Sequence, residues 1–443
     1  MSHHRPSYRV LAPLILTVIA LSAPTRAEDG AERSSVYRDV KAFLSKHTTV
    51  VELTNDQQGR VIVCPEYQGR VMTSTLDGED GMSFGFICYD FIEKGRNDPH
   101  FNNYGGEERM WISPEGGQFS LWFEPGMKTQ KLEDWYTPKD LNEGPWEVVS
   151  GKDDPVVKMK RKMELQNTSG TRFDVEVTRD VRMLGQKDLG ELFGKSVSRV
   201  LGREGVKAVA FETVNRITNE AEPWKTESGL ISVWMLGMFN SSPSNVAVIP
   251  YRQGEEAELG IPVRADYFGK LTAERLKVLP GVILFRADGN YRSKLGTSKQ
   301  RAVDVLGSID FKNQVLTLVQ FNMPENPADA LYMNNLWGNP LEKPYDGDVI
   351  NSYNDGPSEL GTQMGKFYEL ETLSSTRELA RGETLTHCNR TVHIQAELKT
   401  LDRIAKSVLG IDLKTVAKEM VIETGRLHAK SPKHRLVLVR TDN

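Results

Sequence analysis

Apolar and charged side chains alternate with a period of two between residues 157 and 177, and this pattern constrains the fold more than any other. Odd positions from 157 to 165 are apolar except Arg161, whereas the even positions carry lysine or glutamate. The sequence Asn-Thr-Ser-Gly at 167–170 then turns the chain, and the alternation resumes at Phe173. A period of two is typical of β-strands, so the segment predicts an antiparallel pair with one buried face and one face in water.

Further runs of strand type follow one another along most of the chain, with turn residues between them. They lie at 60–64, 70–72, 83–91, 118–123, 206–219, 230–239, 282–286, 315–321, 365–372 and 384–395. Helical segments are short and lie at 36–45, 190–203, 398–409 and 413–422. We therefore expect an all-β fold, a large antiparallel β-sandwich over 50–396, after a lead-in at 28–49 that contains a short helix and before a C-terminal helical tail at 397–443.

The first 27 residues carry the pattern of a secretory signal peptide. Arginines precede an apolar run over 10–22, and small residues stand at the third-last and last positions before a cut after Ala27. The apolar run is too short for a stable membrane span. We therefore expect the mature chain to begin near Glu28, to be periplasmic or secreted, and to have no membrane association once the signal peptide is removed.

Charge and cysteine content argue against several classes of ligand. Lysine and arginine number 56 against 60 acidic residues, for a net charge of −4, so we expect no nucleic-acid partner. Cys64, Cys88 and Cys388 fit no zinc pattern; either one pair, such as Cys64 with Cys88, forms a disulfide, or all three are small buried apolar residues. The oxygen-rich segment at 345–357 does not match an EF-hand loop. We expect neither a metal site nor a cofactor.

The segment from 100 to 115 contains the densest set of candidate site residues. Its paired glycines permit backbone angles closed to other residues and let a ligand approach the main chain. Trp111 offers a flat apolar ring of the kind that stacks on sugar rings. The polar side chains that could position a ligand or act on it belong to His100, Asn103, Tyr104, Glu107, Glu108 and Arg109. The alternative interpretation is a surface turn followed by an edge strand.

Two later segments add polar candidates. Arg292 and Lys294 lie two residues apart after an Asp-Gly turn at 288–289. We expect them to share one face of a strand, where two cations could hold a carboxylate or a sulfate. Asn354 and Asp355 belong to a loop rich in Asp, Asn and Tyr, the residue types that contact sugar hydroxyls. The alternatives are a wet strand face and a structural turn.

A pair of acids lies in one of the last predicted strands. Glu369 and Glu371 are two residues apart, which puts both carboxylates on one face about 7 Å apart. Two carboxylates at that separation tend to titrate differently, so that one acts as a base while the other stays protonated or pairs with a cation. The alternative is an exposed edge with two solvated acids. His387, in the last long strand, is either structural or in contact with a ligand.

Four segments together resemble the galactose mutarotase-like (aldose 1-epimerase-like) superfamily. They are VIVCPEYQGRVMTSTL at 61–76, NNYGGEERMWISPEGG at 102–117, VNRITNEAEPW at 214–224 and YELETLSSTRELARGETLTH at 368–387. The resemblance runs from about residue 50 to 396. It implies a supersandwich of antiparallel sheets with a concave face that binds carbohydrate.

The same resemblance implies roles for individual residues. Epimerases of this superfamily open and reclose an aldose ring: a glutamate takes the proton of the anomeric hydroxyl, and a histidine gives one to the ring oxygen. Glu371 matches that glutamate. Tyr104 stands where a histidine would be expected, so His100 or Tyr104 is the candidate acid. Arg109 and Trp111 would position the sugar.

We therefore predict an exported carbohydrate-active protein that performs acid–base chemistry on a mono- or oligosaccharide, with aldose 1-epimerase as the nominal reaction. Two alternatives remain open. One is a non-catalytic carbohydrate-binding protein with the same cleft, and the other is a polysaccharide lyase or hydrolase acting on acidic or sulfated glycans. A desolvated glutamate would favour an enzyme, whereas aromatic shelves beside solvated acids would favour a binding protein.

Overall fold

The computed structural model describes residues 35–358 and 361–423; the expected signal peptide, residues 28–34 of the lead-in and residues 424–443 of the tail lie outside the described residues. Strands are the main element. They are β1 Val51–Thr54, β2 Arg60–Cys64, β3 Arg70–Thr75, β4 Arg109–Ser113, β5 Glu147–Val148, β6 Val156–Gln166, β7 Arg172–Met183, β8 Lys207–Asn219, β9 Ser232–Asn240, β10 Asn245–Pro250, β11 Leu276–Leu279, β12 Val282–Arg286, β13 Ser293–Ser298, β14 Val305–Asp310, β15 Val315–Phe321, β16 Asp348–Asn354, β17 Phe367–Leu373 and β18 Thr384–Gln395. The α-helices are α1 Tyr37–His47, α2 Tyr89–Lys94, α3 Lys139–Asn142, α4 Gln186–Phe193, α5 Lys195–Leu201, α6 Glu256–Leu259, α7 Leu398–Val408 and α8 Leu413–Glu419.

The strands form three antiparallel sheets within the described ranges. The largest has ten strands in the order β11-β12-β10-β14-β15-β18-β8-β7-β6-β5. A five-stranded sheet has the order β13-β16-β17-β9-β4, and β1, β2 and β3 form a third sheet. The five-stranded sheet collects strands that are far apart in the chain. It places β4, from the 100–115 segment, on one side of β9 and β17, the strand with the paired glutamates, on the other.

The predicted hairpin is β6 paired with β7, with Met163 opposite Val175. The odd positions of β6 are buried apart from Arg161, and the even positions are exposed or half-buried. Arg161 donates through Nη1 to the main-chain carbonyls of Glu143 and Gly144, at 2.6 and 2.7 Å. Its guanidinium therefore fastens the preceding loop to the sheet, which explains the one break in the apolar face.

Apolar side chains fill the space between the ten-stranded and five-stranded sheets. Phe285 of β12 and Val319 of β15 cluster there with Ile350 of β16 and Leu370 of β17, all at most 2% exposed. On the other face of the ten-stranded sheet, Val392 and its neighbours pack against α4, α5, α7 and α8. Two sheets that enclose a common core make a sandwich. The predicted antiparallel β-sandwich with short C-terminal helices is confirmed.

The tail helices follow the predicted spacing. Leu401, Ile404 and Ala405 of α7 are buried, as the three- and four-residue intervals require. The Asp412 side chain caps α8 by accepting a hydrogen bond from the main-chain N–H of Thr415 at 2.9 Å. Among the described residues, no helix has both the length and the apolar character needed to cross a membrane.

Two predicted strands are wrong. Residues 118–123 form turns, and most of their side chains are buried, so this apolar run fills the core from a loop instead of presenting alternate faces. Residues 83–91 make isolated bridges and then enter α2. In both segments the apolar residues are too closely spaced to distinguish a half-buried strand from a buried loop.

The Asp-Gly turn at 288–289 does not join two paired strands. β12 belongs to the ten-stranded sheet and β13 to the five-stranded sheet, so this segment crosses between sheets. Arg292 precedes β13, and the expected shared strand face with Lys294 is not formed. No disulfide joins the three cysteines, which all lie within the described residues.

Candidate functional site

Strand register collects charged residues from distant parts of the chain on one face of the five-stranded sheet. Arg109 and Glu371 lie opposite the same residue of β9. Lys294 and Glu369 lie opposite the same residue of β16. Residues opposite one another in an antiparallel pair share a face. We call this surface the carboxylate face; it carries Arg109, Trp111, Trp234, Lys294, Glu369 and Glu371.

Glu371 lies at the centre of this face and is completely buried. Its Oε2 accepts hydrogen bonds from the indole Nε1 of Trp234 at 2.8 Å and from Nζ of Lys294 at 3.2 Å. Its Oε1 has no hydrogen-bond partner within the described residues. A buried carboxylate oxygen without a partner is uncommon and keeps unused acceptor capacity. Among the described residues, Oε2 of Glu107 is the other carboxylate oxygen of this kind.

Glu369 has different surroundings on the same strand face. Its Oε1 accepts a hydrogen bond from Nη2 of Arg109 at 3.2 Å, and both side chains are 7% exposed. Burial raises the pKa of Glu369 to about 7, against the opposing charge of Arg109 and with a further contribution from Glu371. Near neutral pH this carboxyl group is therefore protonated for part of the time.

Lys294 is surrounded by carboxyl groups. Burial alone would lower its pKa, but the charges of Glu371, Glu115 and Glu369 outweigh that effect and raise it above the usual value. The ammonium also lies 5.0 Å from the ring centroid of Trp234. Lys294 therefore stays charged and serves as the counter-ion of the carboxylate face.

Arg109 and Trp111 lie together at the edge of the face, on β4. The guanidinium carbon of Arg109 is 4.1 Å from the ring centroid of Trp111 and 4.9 Å from that of Phe101. Its Nε and Nη1 have no hydrogen-bond partner in the described part of the chain. Trp111 is 5% exposed and packs edgewise on Trp122 and Trp234. Arg109 therefore covers the ring of Trp111, so this ring does not form the open stacking surface that the sequence predicts.

Sequence reasoning missed Glu115 and Trp234. Glu115 is half-buried, and its Oε1 accepts a hydrogen bond from Nε1 of Trp135 at 3.0 Å. Burial raises the pKa of Glu115, against the charge of Lys294. Glu115 lies two residues beyond the end of β4, so strand periodicity does not mark it. No signal marks Trp234 either, because it lies in an almost uniformly apolar strand.

His100 and Tyr104, the expected acids, make their contacts elsewhere. His100 is exposed; its Nδ1 is 2.8 Å from the carbonyl oxygen of Trp135, and its ring stacks on Tyr136. Tyr104 stacks on Tyr67 at 4.0 Å. Its hydroxyl donates to the Asn97 side chain at 3.2 Å. Within residues 35–358 and 361–423, neither side chain has a contact with the paired glutamates.

Glu107 and Glu108 lie between the two large sheets rather than on the carboxylate face. Oε1 of Glu107 lies 2.9 Å from Nε2 of His393, and Oε1 of Glu108 accepts from Nη2 of Arg179 at 2.7 Å. All four side chains are at most 1% exposed. These contacts join the five-stranded sheet region to the ten-stranded sheet, which is a structural role.

His387 belongs to the same layer between the sheets. Its Nε2 is 2.8 Å from Oγ1 of Thr372, which points away from the carboxylate face because it neighbours Glu371 in a strand. Burial, together with the charge of Arg390, lowers the pKa of His387 to about 3. The imidazole is therefore neutral and is not a proton donor near neutral pH.

Asn103 and Asp355 lie in loops beside the face, whereas Asn354, which was expected in a loop, is the last residue of β16. Asn354 accepts from the main-chain N–H of Gly289 at 2.8 Å and thereby holds the crossover between sheets. Asp355 accepts from the hydroxyl of Tyr353 at 2.6 Å, and burial raises its pKa. Asn103 donates to the carbonyl of Met364 at 3.2 Å. These contacts shape the surroundings of the carboxylate face.

Arg292 also lies beside the face. Its guanidinium carbon is 4.4 Å from the ring centroid of Phe268, and its buried Nε has no hydrogen-bond partner among the described residues. As for metals, the part of the chain that the structure describes contains no group of three or more His, Cys, Asp or Glu side chains placed to hold an ion.

Three solved structures indicate what this chain is similar to. Slr1438 of Synechocystis sp. PCC 6803 is 14% identical over 79% of this chain and 96% of that one, with a TM-score of 0.44. An Escherichia coli K12 protein provisionally named an aldose 1-epimerase is 12% identical over 79% and 99%, with a TM-score of 0.43. YeaD of Salmonella typhimurium, provisionally named a mutarotase, is 11% identical over 80% and 92%, with a TM-score of 0.40. No curated protein matches the chain.

A protein-family model covers most of the chain. It matches residues 35–420, and this range contains every strand and helix described above together with the carboxylate face. The chain therefore belongs to DUF6786, a family of unknown function.

Proposed function

We propose that this protein is a carbohydrate-active enzyme of the aldose 1-epimerase type, which opens and recloses the ring of an aldose. The observation that carries the proposal is the pair Glu369 and Glu371, two buried carboxyl groups on one strand face with different surroundings. Glu371 has one oxygen held by Lys294 and Trp234 and one oxygen free, whereas the pKa of Glu369 is raised by burial to about 7. Such a pair suits a base and an acid that work together near neutral pH.

In the proposed reaction, Oε1 of Glu371 takes the proton of the anomeric hydroxyl while protonated Glu369 gives its proton to the ring oxygen. The bond between the anomeric carbon and the ring oxygen breaks, and the hydroxyl oxygen becomes the aldehyde oxygen of the open chain. Rotation about the neighbouring carbon–carbon bond presents the other face of the aldehyde. Reversal of both proton transfers closes the ring as the other anomer, and both carboxyl groups return to their starting states.

The neighbours of the two acids support these roles. Lys294 and Trp234 fix Oε2 of Glu371 and so direct Oε1 toward the ligand. The guanidinium of Arg109 stabilises the negative charge that Glu369 acquires when the ring opens. Its unpartnered Nε and Nη1 are donors for sugar hydroxyls.

A carboxyl group with a pKa near 7 provides the proton that a histidine supplies in the resembled epimerases. Glu369 has this property because it is buried. His100 and Tyr104 were the acids expected from the sequence, but their contacts lie with Trp135, Tyr136, Tyr67 and Asn97. We therefore assign the acid role to Glu369 in this proposal.

Desolvation of the acids favours an enzyme over a simple binding protein. Glu371 and Glu369 are 0% and 5% exposed. A binding protein has no need to hold carboxyl groups out of water, because solvated acids accept sugar hydroxyls equally well. Active sites, in contrast, are where burial shifts the pKa of acids toward neutrality.

The test is a polarimetric assay of mutarotation with freshly dissolved α-D-glucose, α-D-galactose and a panel of other aldoses. Glu371→Gln keeps the shape of the side chain but removes the proton acceptor, so we expect turnover to fall roughly 10²–10⁴-fold with little change in sugar affinity. Glu164→Gln, at an exposed position of β6, is the matched control and should behave as wild type. Wild-type turnover in Glu371→Gln would contradict the proposal.

Two other outcomes would replace the proposal with one of its alternatives. A protein that binds a sugar without accelerating mutarotation of any aldose on the panel would be a carbohydrate-binding protein. A protein that shortens an acidic or sulfated polysaccharide, detected by new reducing ends or by absorbance of an unsaturated product, would be a hydrolase or a lyase.

We also propose that the chain is exported and that its signal peptide is removed after Ala27, as the order of basic, apolar and small residues indicates. N-terminal sequencing of protein recovered from the periplasm or the medium should then begin at or near Glu28. Recovery of the exported chain with Met1 still present would contradict this proposal.

A further inference from the structure

Residues 266–270, between β10 and β11, lie over one end of the carboxylate face. The ring centroid of Tyr267 is 6.0 Å from Nζ of Lys294, the ammonium that donates a hydrogen bond to Glu371. Glu371 is completely buried, and the Lys294 side chain is 15% exposed. The charged groups of the face are therefore covered in this structure, and a ligand can reach them only when a covering segment moves.

The packing of the chain changes at both ends of this segment. Ala265 before it and Leu271 after it are partly buried against the apolar core between the two large sheets. Positions 266 and 268–270, in contrast, are exposed. Gly269 has a φ of +101°, which favours glycine, and a side chain there would meet no described atom within 4 Å. Segments with few buried apolar contacts open at low free energy. We call residues 266–270 the flap.

A side-chain hydrogen bond and two ring contacts hold the flap against the sheet. The hydroxyl of Tyr267 donates to the carboxylate of Asp348, at the start of β16. The ring of Phe268 meets Tyr353 edge-on at 6.1 Å, and the guanidinium carbon of Arg292 lies 4.4 Å from its centroid. Phe268 nevertheless remains 46% exposed, so its ring contacts bury little apolar surface. The hydrogen bond to Asp348 is therefore the main attachment.

Arg264 holds Asp348 independently of the flap. Its Nη1 donates to Oδ2 of Asp348 at 3.1 Å, and its main chain exchanges two hydrogen bonds with Gly296 of β13, at 2.9 and 2.8 Å. A side chain at position 296 would collide with the Asp348 carboxylate, so glycine there leaves room for it. When Tyr267 moves away, Asp348 keeps its ion-pair partner, and opening leaves no unpaired carboxylate behind.

We infer that residues 266–270 are a hinged flap that controls access to the carboxylate face, with Tyr267 and Asp348 as its latch. The inference rests on the proposed function for the identity of the reacting groups, and it adds the step by which a ligand reaches them. Opening breaks one hydrogen bond and separates few apolar contacts, whereas the strands beneath it stay paired. Closure over a bound ligand would exclude water from the two acids.

The experiment measures how fast individual lysines of the native protein are acetylated by N-hydroxysuccinimide acetate, with peptide mapping by mass spectrometry. In wild type, Lys294 should react much more slowly than an exposed lysine such as Lys162. Tyr267→Phe keeps the ring but removes the latch hydroxyl. Acetylation of Lys294 should then rise about tenfold, because its rate follows the opening equilibrium and a hydrogen bond to a charged group is worth about that factor. Phe268→Ala, which removes an exposed ring, should raise the rate by a smaller factor.

The chain offers a control residue and a control variant. Lys299, just after β13, is 11% exposed and donates to the carbonyl of Ala330 at 2.8 Å, so its acetylation should stay at the wild-type rate. Tyr291→Phe makes the same chemical change at a 44% exposed tyrosine outside the flap and should leave Lys294 unchanged.

Two results would overturn the inference. One is acetylation of Lys294 at the wild-type rate in both flap variants, and the other is an equal rise at Lys299, which would mean general loosening of the fold. Because the readout is lysine modification, it is independent of turnover. Absence of mutarotation together with faster acetylation of Lys294 in the flap variants would contradict the proposed epimerase activity while supporting the flap.

Discussion

At the scale of single residues, the raised pKa of Glu369 connects the proposed chemistry with stability. Burial favours the neutral carboxyl group and outweighs the charge of Arg109, so the folded protein retains this proton up to about pH 7. An unfolded chain, in which the glutamate has its ordinary value of 4.5, releases the proton much earlier. Between these two values the folded state binds more protons, so the free energy of unfolding falls as the pH rises.

Glu369→Gln should therefore change the pH dependence of stability. The variant has no titrating group at this position, so between about pH 4.5 and 7 its melting temperature should fall less than that of wild type. Thermal denaturation across this range measures the difference, with Glu164→Gln on the exposed face of β6 as control. Identical slopes in wild type and Glu369→Gln would show that the buried carboxyl does not titrate as described.

The shared face of Glu369 and Glu371 was predictable from their spacing, because alternate residues of a strand point the same way. Their different surroundings were not predictable. Arg109 reaches Glu369 across 260 residues of sequence, and Lys294 reaches Glu371 across 77. A pKa depends on burial and on neighbours of this kind, and the register that supplies them is a property of the folded sheet.

At the scale of strands, hydrogen bonds between the two large sheets explain several polar residues that the sequence marks as site candidates. Glu108, just before β4, pairs with Arg179 of β7, and Thr372 of β17 contacts His387 of β18. Each of these side chains is almost completely buried. A buried charge that loses its partner is strongly destabilising, so these contacts make the packing of the sheets specific.

Arg179→Ala should lower the free energy of unfolding by about 3–5 kcal/mol, because it leaves the Glu108 carboxylate buried without its ion-pair partner. Urea denaturation followed by circular dichroism measures the change. Arg172→Ala, at the exposed start of the same strand, should cost less than about 1 kcal/mol. A loss of similar size in both variants would mean that the pair adds nothing specific to the sandwich.

Polar character alone could not distinguish residues that lie between the two large sheets from residues on the carboxylate face. Glu107 and Glu108 share a segment with Arg109, yet the two glutamates bond to His393 and Arg179 between the sheets, while Arg109 lies on the carboxylate face. Residues 118–123 do not form the predicted strand for a related reason: they lie in a loop whose apolar side chains are buried in the core. Periodicity predicts which residues share a face only after the element type is known.

At the scale of the whole molecule, the antiparallel class and the position of the C-terminal helices followed from the sequence, but the order of strands did not. The five-stranded sheet joins β4 to β9 and β13 to β16, although long stretches of chain separate the members of each pair. Turn residues such as those at 288–289 indicate a change of direction, but they do not specify which sheet receives the next strand. This order is what assembles the carboxylate face.

The measurement that tests the central claim most directly is the pH dependence of kcat/KM for mutarotation, since this quantity reports the ionisation of the free enzyme. We expect activity to fall above about pH 7, as Glu369 loses the proton that it must give to the ring oxygen. Glu369→Gln should be slower than wild type by roughly 10²–10⁴-fold and should lack this decline. Activity that stays constant or rises from about pH 6 to 9, with Glu369→Gln as fast as wild type, would contradict the assignment of Glu369 as the acid partner of Glu371.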